Sequence, residues 1–259
     1  MDSSQGLRGR LALITGATGG IGLACAEALA AEGCGIELHG LEENGPALAA
    51  DLAARFGVAC RYHLLDLATP AGVAALAAAA GEPDILVNNA VTRSFGPVER
   101  TSRAEWDRDL AVNLSAGFQL ISLALPAMRR RDWGRIVNMS SIYGRIGTPN
   151  RLSYVTSKTA LLGLTRGVAL ETAGTGITCN AIIPGTTLTP NIAGRLRAAA
   201  AASGRDEAEE ARHFLGTRQP TGRFIEASAI GAMVAFLCGP AGRDITGAEL
   251  PMDGGWSIA

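Results

Sequence analysis

The sequence is poor in the side chains from which metal sites and disulfide frameworks are built. Its five cysteines are odd in number and widely spaced, with no CxxC pair, so neither a disulfide scaffold nor a zinc site is expected. Its three histidines lie far apart and pair with no acidic residue at metal-ligand spacing. We therefore expect no metal centre, and a reducing compartment suits the cysteines.

Charge imbalance and long apolar runs are also missing. The formal net charge is -1 and the lysines and arginines are scattered, so electrostatics give no reason to expect binding to nucleic acid or to an acidic membrane. No uninterrupted apolar run reaches the roughly eighteen residues of a membrane span. The start of the chain, MDSSQGLRGR, lacks the apolar core of a signal peptide. The expected setting is the cytoplasm, with a small molecule as the partner.

The sequence is rich in glycine, and strand-like and helix-like patterns alternate along it. Thirty-three glycines and a hydrophobic fraction of 47% describe a globular chain with many tight turns. Short runs rich in Val, Ile and Leu alternate with alanine-rich helical segments. The strand candidates are RLALITG, GIELHG, CRYHLLD, DILVNNA, GRIVNMSS, GITCNAIIPG and AELPMDGG. Because strands that are apolar on both faces need cover on both sides, the pattern predicts a single α/β domain with a doubly wound parallel seven-stranded sheet between two helical layers.

One segment interrupts this alternation. Residues 189–224 fall between the sixth and seventh predicted strands and have the pattern of two charged helices separated by a glycine. Open α/β sheets place substrate loops at the carboxyl ends of strands. We therefore expect a substrate-binding helical insertion within one domain that spans residues 1–259. A solvated helical hairpin without substrate contacts is the alternative.

A glycine-rich turn follows the first predicted strand. The stretch TGATGGIG places Gly16, Gly20 and Gly22 in the spacing T-G-x-x-x-G-x-G. Glycine allows the backbone to approach a pyrophosphate closely, and the helix that follows offers unpaired N–H groups and the positive end of its dipole. A tight structural turn is the alternative. The position between a strand and a helix favours a dinucleotide site.

Six motifs in register make the chain resemble the short-chain dehydrogenase/reductase family from about residue 10 to residue 258. They are the glycine turn, NNA at 88–90, Asn113 in AVNLSAG, Ser141 in IVNMSS, YVTSK at 154–158, and PG at 184–185. Val91 stands where the family usually has glycine. The resemblance implies a Rossmann fold, reversible hydride transfer between a secondary alcohol and its ketone, a dinucleotide cofactor and a homotetramer.

The tyrosine and lysine of YVTSK are the candidate acid and base. Tyrosine titrates near pH 10 in water, and a nearby positive charge lowers that value. If this segment is helical, Tyr154 and Lys158 share one helix face. Ser141 and Ser140 could each hydrogen-bond a substrate oxygen from opposite faces of the strand, and only the family spacing selects Ser141. The resemblance implies that Asn113 holds a water that links the lysine to solvent. Asn113 could also kink the helix, with its amide hydrogen-bonded to the backbone, and this role is compatible with the first.

NAD is favoured over NADP. The stretch IELHGLEEN has no arginine to pair with a 2′-phosphate, and Glu42 and Glu43 would repel one. The cofactor-binding positions that the resemblance implies are Gly16, Thr18, Gly20, Ile21, Gly22, Leu41, Asp66, Leu67, Asn89, Ala90, Tyr154, Lys158, Pro184, Gly185, Thr187 and Thr189.

Within the family the chain most resembles the D-3-hydroxybutyrate dehydrogenases, in ALETAGTGITCNAIIPG, RQPTGRF and DGGW. The substrate-binding positions that this resemblance implies are Arg93, Ser141, Tyr143, Arg151, Tyr154, Thr186, Arg195 and Trp256. Several of them differ from the residues of those enzymes. Guanidinium groups in place of neutral amides predict a pocket for a different anion, such as another hydroxy acid, a sugar acid or a sulfonate. Each arginine could instead be a solvated surface side chain.

Three other functions remain open from the sequence: a reductase of an uncharged ketone, a dinucleotide-binding sensor without turnover, and an enoyl reductase. The intact set of Asn113, Ser141, Tyr154 and Lys158 disfavours the sensor. Related enoyl reductases space their tyrosine and lysine more widely, which disfavours the third.

Overall fold

Seven parallel strands form the central sheet of the computed structural model, which describes residues 6–216 and 218–259. The strands are β1 Leu11–Ile14, β2 Gly35–Gly40, β3 Cys60–Leu64, β4 Ile85–Asn88, β5 Gly134–Met139, β6 Ile177–Pro184 and β7 Glu249–Met252. Their order across the sheet is β3-β2-β1-β4-β5-β6-β7, and every neighbouring pair is parallel. The predicted sheet is confirmed, with all its strands in the predicted stretches.

Helices cover both faces of this sheet. They are α1 Gly20–Ala31, α2 Gly45–Phe56, α3 Pro70–Ala80, α4 Arg103–Leu110, α5 Ala116–Arg131, α6 Leu152–Glu171, α7 Pro190–Ser203, α8 Glu207–Leu215 and α9 Ala227–Cys238. One buried cluster joins Leu29 of α1, Leu52 of α2 and Val234 of α9 to one face. Another joins Leu76 of α3 and Leu120 of α5 to the other face. The chain is therefore a single doubly wound domain.

The helical run Arg103–Arg131 is long and apolar enough, by length and composition, to cross a membrane. Within it a π-helical turn, Ala111–Ser115, joins α4 to α5. The side of α5 that carries Leu120, Ile121 and Met128 packs in the same buried cluster as Leu86 of β4. These contacts give α5 the position of a core helix against the sheet.

The strand order reverses at β1, because β2 lies on one side of it and β4 on the other. Open α/β sheets form a crevice at such a point, outside the carboxyl ends of the strands. The segments that follow β1, β4, β5 and β6 all leave the sheet at this edge because the strands are parallel. Most of the candidate site residues are on these segments and on α6, and the others follow β2, β3 and β7.

The insertion between β6 and β7 contains two helices, α7 and α8, as the sequence predicts. Gly204 ends α7 with a φ of 74°, in the left-handed region that glycine adopts readily. Thr189 caps the start of α7 by accepting a hydrogen bond from the N–H of Ile192, and Asp206 caps α8 through the N–H of Glu209. The glycine break therefore turns α8 back beside α7.

Candidate active site

The glycine turn after β1 requires its glycines for two different reasons. Gly16 and Gly20 have φ values of 63° and 54°, which side chains rarely allow. A Cβ at Gly22 would lie 2.2 Å from the carbonyl oxygen of Gly16 and 2.6 Å from Nδ2 of Asn89. Any larger residue at Gly22 would therefore force the turn apart.

Side chains from neighbouring strands fix the shape of this turn. Asn89, after β4, donates from Nδ2 to the carbonyl oxygens of Thr15 and Gly16 at 3.0 and 2.8 Å. Oγ1 of Thr15 accepts in return from the backbone N–H groups of Asn89 and Ala90 at 2.9 and 3.0 Å. The predicted cofactor positions after β1 and β4 thus form one hydrogen-bonded unit.

His39, near the end of β2, also holds the turn, and the sequence motifs did not indicate it. Its Nδ1 accepts a hydrogen bond from the N–H of Gly16 at 3.2 Å, and its Nε2 lies 2.8 Å from the carbonyl oxygen of Leu65. This pair of partners requires the neutral ring with the proton on Nε2. Burial lowers the pKa of His39, which also favours the neutral form.

The start of α1 has the donors that a pyrophosphate needs. Gly19 precedes the helix and supplies no capping side chain, and the first turn holds no acidic residue. The N–H groups at the start of this helix therefore point to the crevice edge without a side-chain acceptor from the described residues. The residues present fit a dinucleotide cofactor.

Glu42, two residues after the end of β2, is hydrogen-bonded to the glycine turn. Its Oε2 accepts from Oγ1 of Thr18 at 2.5 Å and from the N–H of Leu41 at 3.0 Å. These hydrogen bonds, the one from Thr18 first, lower the pKa of Glu42 and keep it ionised near neutral pH. After β3, Asp66 accepts from the N–H of Ala68 at 2.9 Å, and Leu67 is buried.

Tyr154 and Lys158 lie on one face of α6, as the spacing predicts, and both are buried. The Nζ of Lys158 is 5.7 Å from the ring centroid of Tyr154 and donates to the carbonyl oxygen of Met139 at 2.7 Å. Burial, with a smaller contribution from the charge of Arg93, lowers the pKa of Lys158 to about 7. An anion formed on the neighbouring ring would favour the charged lysine.

The two candidate serines have different surroundings. Both follow the end of β5 at Met139 and line the same cavity as Tyr154. The hydroxyl of Ser140 donates to the carbonyl oxygen of Lys158 at 2.8 Å, whereas Oγ of Ser141 accepts from the N–H of Tyr143 at 3.2 Å. Ser141 therefore still has a proton to donate into the cavity.

Asn113 lies in the π-helical turn between α4 and α5. Its Oδ1 accepts from the N–H of Thr92 at 2.8 Å, and its Nδ2 is 3.0 Å from the carbonyl oxygen of Thr92 and 3.2 Å from Oγ of Ser157. The side chain thus ties the loop after β4 to α6 one residue before Lys158. The reading of Asn113 as an amide satisfied by backbone is consistent with these bonds.

Asp109 is a second residue that the motifs missed. This buried carboxylate accepts from Oγ1 of Thr92 at 2.7 Å, from the N–H of Ser94 at 2.9 Å and from Oγ of Ser153 at 2.5 Å. These hydrogen bonds lower its pKa against the opposing effect of burial. Because Thr92 and Ser94 flank Arg93, and Ser153 precedes Tyr154, Asp109 holds two parts of the site together.

The loop after β6 closes the cavity opposite α6. Pro184, Gly185, Thr186, Thr187 and Thr189, all predicted site residues, line it. The fully buried Gln219 anchors this loop, since its Oε1 accepts from the N–H of Thr186 and its Nε2 donates to the carbonyl oxygen of Arg223 at 2.5 Å.

The cavity that these segments enclose has a volume of about 580 Å³. All eight residues predicted to bind substrate line it, including Arg93 and Arg195. The lining residues that were not predicted include Phe95, Phe214 and Arg218. The guanidinium of Arg93 is 5.2 Å from the Tyr154 ring centroid, and that of Arg151 is 5.4 Å from the ring of Tyr143. Tyr143 also contacts the Trp256 ring edge to face at 5.5 Å.

The predicted cofactor positions divide into two groups along the crevice. Eight of them line the cavity beside the catalytic candidates: Ile21, Asn89, Tyr154, Lys158, Pro184, Gly185, Thr187 and Thr189. The others lie outside it, after the strands β1 to β4: Gly16, Thr18, Gly20, Gly22, Leu41, Asp66, Leu67 and Ala90. Thr189 links the groups, because its Cγ2 would lie 3.2 Å from a Cβ at Gly20.

Known proteins are similar to this chain in sequence and in fold. A short-chain dehydrogenase model described as Enoyl-(Acyl carrier protein) reductase matches residues 16–257. The chain is 39% identical over 254 residues to a D-beta-hydroxybutyrate dehydrogenase of Cupriavidus necator, with 96% of this chain and 98% of that protein covered. It is 35% identical to a 2-keto-3-deoxy-L-fuconate dehydrogenase of Xanthomonas campestris, with 97% and 81% covered.

Solved structures agree with these relatives. The L-sorbose reductase of Gluconobacter frateurii, complexed with NADPH and L-sorbose, superposes with a TM-score of 0.93 at 30% identity and covers 98% of this chain and 99% of its own. The chain therefore belongs to the short-chain dehydrogenase/reductase family and is an NAD(P)-dependent oxidoreductase that acts on hydroxyl and keto groups.

Proposed function

We propose that this enzyme transfers hydride between NAD and an anionic secondary alcohol or its ketone, with Tyr154 as the acid and base. The observation that carries the proposal is the composition of the cavity. It brings Tyr154, Lys158 and Ser141 together with four arginines, and no aspartate or glutamate is among its described lining residues. An anionic substrate would be attracted to this cavity and a cationic one repelled.

The nicotinamide ring of the cofactor, when bound, would supply the hydride acceptor or donor. In alcohol oxidation, the hydroxyl of Ser141 would hydrogen-bond the substrate oxygen and orient it toward Tyr154. The phenolate of Tyr154 would take the alcohol proton, and the charged Lys158 would stabilise that phenolate. Ketone reduction would use the same groups in reverse, with Tyr154 donating the proton.

Asn113 is proposed to support proton exchange between Lys158 and solvent. Its amide already joins the loop at Thr92 to Ser157, next to the lysine in the chain. A π-helical turn places it there, and such turns are frequent at functional sites. A water held by this region would let Lys158, with its pKa near 7, release or gain a proton near neutral pH.

NAD is proposed as the preferred cofactor because of Glu42. Its carboxylate is bonded to Thr18 and Leu41, at the predicted ribose end of the crevice. The extra 2′-phosphate of NADP would bring negative charge toward an ionised carboxylate, which is unfavourable. The remaining predicted cofactor positions are proposed to bind the dinucleotide along the carboxyl ends of β1 to β4.

We also propose a cytoplasmic homotetramer. Helices α5 and α6 border an apolar groove with residues that include Phe118, Leu125 and Leu164. Phe118 is 59% exposed and belongs to this apolar groove, and contiguous exposed apolar surface often marks an interaction site. A second copy of the chain would bury this groove. Sedimentation velocity of the purified protein tests the assembly, and a monomer at micromolar concentration would contradict it.

An initial-rate screen tests the substrate class. NAD or NADP would be supplied with hydroxy acids, sugar acids, hydroxysulfonates and uncharged secondary alcohols, and formation of the reduced cofactor followed by absorbance. We expect turnover with anionic alcohols and a higher kcat/KM with NAD. Activity confined to uncharged alcohols would refute the anion pocket and favour the ketone reductase alternative.

Tyr154→Phe tests the mechanism. This change removes only the phenolic oxygen, so we expect turnover to fall by at least about a thousandfold, in line with loss of a general acid and base acting on an oriented substrate. NADH binding, measured by fluorescence, should stay close to that of the unchanged enzyme. A variant that keeps most of its rate would contradict the role of Tyr154.

A further inference from the structure

The arginines of the cavity form two groups that lie near different aromatic rings. Arg93 and Arg151 lie over the rings of Tyr154 and Tyr143. Arg195 of α7 and Arg218, which follows α8, both lie near another ring, with guanidinium carbons 5.8 and 5.7 Å from the centroid of Phe214. The second group therefore belongs to the helical insertion and not to the catalytic helix.

None of the four guanidinium groups has an ionic partner in the part of the chain that the structure describes. The side chains of Arg93, Arg151, Arg195 and Arg218 are absent from its ion pairs and its hydrogen bonds. Their neighbours are aromatic faces, which attract cations but accept little hydrogen bonding. The donors of these arginines thus remain open to a ligand.

These charges also oppose one another. Burial lowers the pKa of Arg151, and the charges of Arg93 and Arg195 lower it further. A single carboxylate accepts bidentate bonds from one guanidinium, or is shared by two, so it would leave at least one group of arginines uncompensated. Two anionic groups on one substrate would compensate both.

Arg218 is held on a fixed part of the insertion. The next residue, Gln219, is fully buried and bonds the N–H of Thr186 in the loop after β6, and the N–H of Arg218 donates to the carbonyl oxygen of Leu215 at 2.8 Å. The backbone at Arg218 is therefore tied both to α8 and to the loop that closes the cavity. Binding of a ligand by Arg218 would therefore require little ordering of the backbone at this position.

We infer that the substrate is a hydroxy acid, or its oxo form, with two anionic groups, the second of which binds between Arg195 and Arg218. The first anionic group binds Arg93 and Arg151, next to the carbon that exchanges hydride at Tyr154. The ring of Phe214, whose centroid is 5.8 and 5.7 Å from the two guanidinium carbons, forms part of the wall of the second subsite. This inference deepens the proposed function and rests on it for the position of the reacting carbon.

Equilibrium binding tests the second subsite without turnover. The protein loaded with NADH would be titrated calorimetrically, at low ionic strength, with succinate, glutarate and adipate and with the monomethyl ester of each. The ester has nearly the shape of the diacid and one charge less. We expect at least one diacid to bind about tenfold more tightly than its ester, the size of effect that a charge-assisted bidentate bond gives.

Arg218→Gln and Arg195→Gln should each bring this ratio of diacid to ester affinity close to one while binding of the ester stays nearly unchanged. Arg197→Gln is the matched control, because Arg197 is exposed on the same helix as Arg195 and does not line the cavity. It should keep the ratio of the unchanged enzyme. Equal affinity for diacid and ester throughout the series, or an equal loss of both ligands in Arg218→Gln, would overturn the inference.

Turnover separates this inference from the proposed function. Oxidation of 3-hydroxyglutarate and of its monomethyl ester would be measured with NAD beside 3-hydroxybutyrate, and a higher kcat/KM for the diacid would support both. If the diacids bind with the expected ratio and no hydroxy acid is oxidised, the proposed reaction fails and the second anion subsite stands. If hydroxy acids are oxidised with no advantage for the diacid, the reaction stands and the second subsite fails.

Discussion

Two replacements of His39 distinguish its contact with the glycine turn from its contact with Leu65, the residue after β3. An asparagine side chain can place its amide oxygen near the position of Nδ1, so His39→Asn should keep the bond from the N–H of Gly16 and lose the one to Leu65. A glutamine reaches the position of Nε2, so His39→Gln should keep the bond to Leu65 and lose the one from Gly16. The two variants thus remove one hydrogen bond each, from different partners.

The magnitude follows from the burial of the site. His39 is only 3% exposed, so water cannot readily replace a lost partner. A buried polar group without a partner costs about 1–3 kcal/mol. Each variant should therefore lower the free energy of unfolding by about 2 kcal/mol. Only His39→Gln should also raise the KM for NAD, because only this variant loses the bond that orders the glycine turn. The KM should rise about tenfold for each 1.4 kcal/mol of binding free energy that is then spent on ordering the turn.

The pH dependence follows from the lowered pKa of His39. The unfolded chain binds a proton at His39 near pH 6.5, and the folded chain binds it only at lower pH, because burial disfavours the charged ring and His63 repels it, while Leu65, Glu42 and Asp66 act in the opposite direction. The unfolded state then holds more protons below about pH 6.5, so stability is present above that pH and is lost as the pH falls toward the folded pKa.

Urea unfolding between about pH 8 and pH 5, together with the KM for NAD, checks both expectations. The unchanged protein should lose stability over this range by more than either variant, since neither variant has the titrating ring. If both variants raise the KM for NAD equally, the contact with Gly16 is not what matters. If neither variant loses stability, the two hydrogen bonds do not contribute as the burial of His39 requires.

Three further changes test other parts of the site. Gly22→Ala should abolish NADH binding and turnover with little change in circular dichroism, because its Cβ would lie 2.2 Å from the Gly16 carbonyl oxygen, and tight NADH binding by this variant would refute the close approach. Glu42→Gln should raise the ratio of kcat/KM for NADP to that for NAD by about tenfold, since it removes a negative charge, and an unchanged ratio would show that Glu42 does not select the cofactor. Lys158→Met should abolish turnover and flatten the pH dependence of stability. The pKa of Lys158 is about 7 in the folded protein, whereas its ordinary value is 10.5, so the unfolded chain binds more protons between these values. The unchanged protein should therefore gain stability as the pH rises from about 7 to 10. A variant that keeps that gain would show that Lys158 is not its source.

The sequence was sufficient for features that depend on neighbouring residues. The alternation of apolar runs with helical segments predicted the strands, the glycine spacing predicted the turn before α1, and the spacing of Tyr154 and Lys158 predicted a shared helix face. Each of these follows from the local period of a strand or a helix, which a short window of sequence contains. The family motifs then gave the order of the site residues along the chain.

A short window of sequence does not show contacts between segments that are far apart in the chain. His39 is on β2 and Gly16 is in the turn after β1, and the joining of Thr92, Ser94 and Ser153 by Asp109 depends on how α4 packs beside α6. No local period marks these side chains, because a buried polar residue is defined by the partners that surround it. The partners of His39 and Asp109 are therefore given only by the tertiary structure.

The substrate cavity also depends partly on local sequence and partly on tertiary packing. The sequence by itself determined that the chain has a dinucleotide turn, a tyrosine and lysine pair and many arginines, since these are properties of residue type and spacing. The family resemblance predicted Arg93, Arg151 and Arg195 at the substrate, and only the tertiary structure decided that they share one cavity with Arg218. They come from the loop after β4, the start of α6, the helix α7 and the segment after α8, and parallel strands bring these segments to one edge of the sheet. The charge of the cavity is therefore set by the packing of segments that are far apart in the chain.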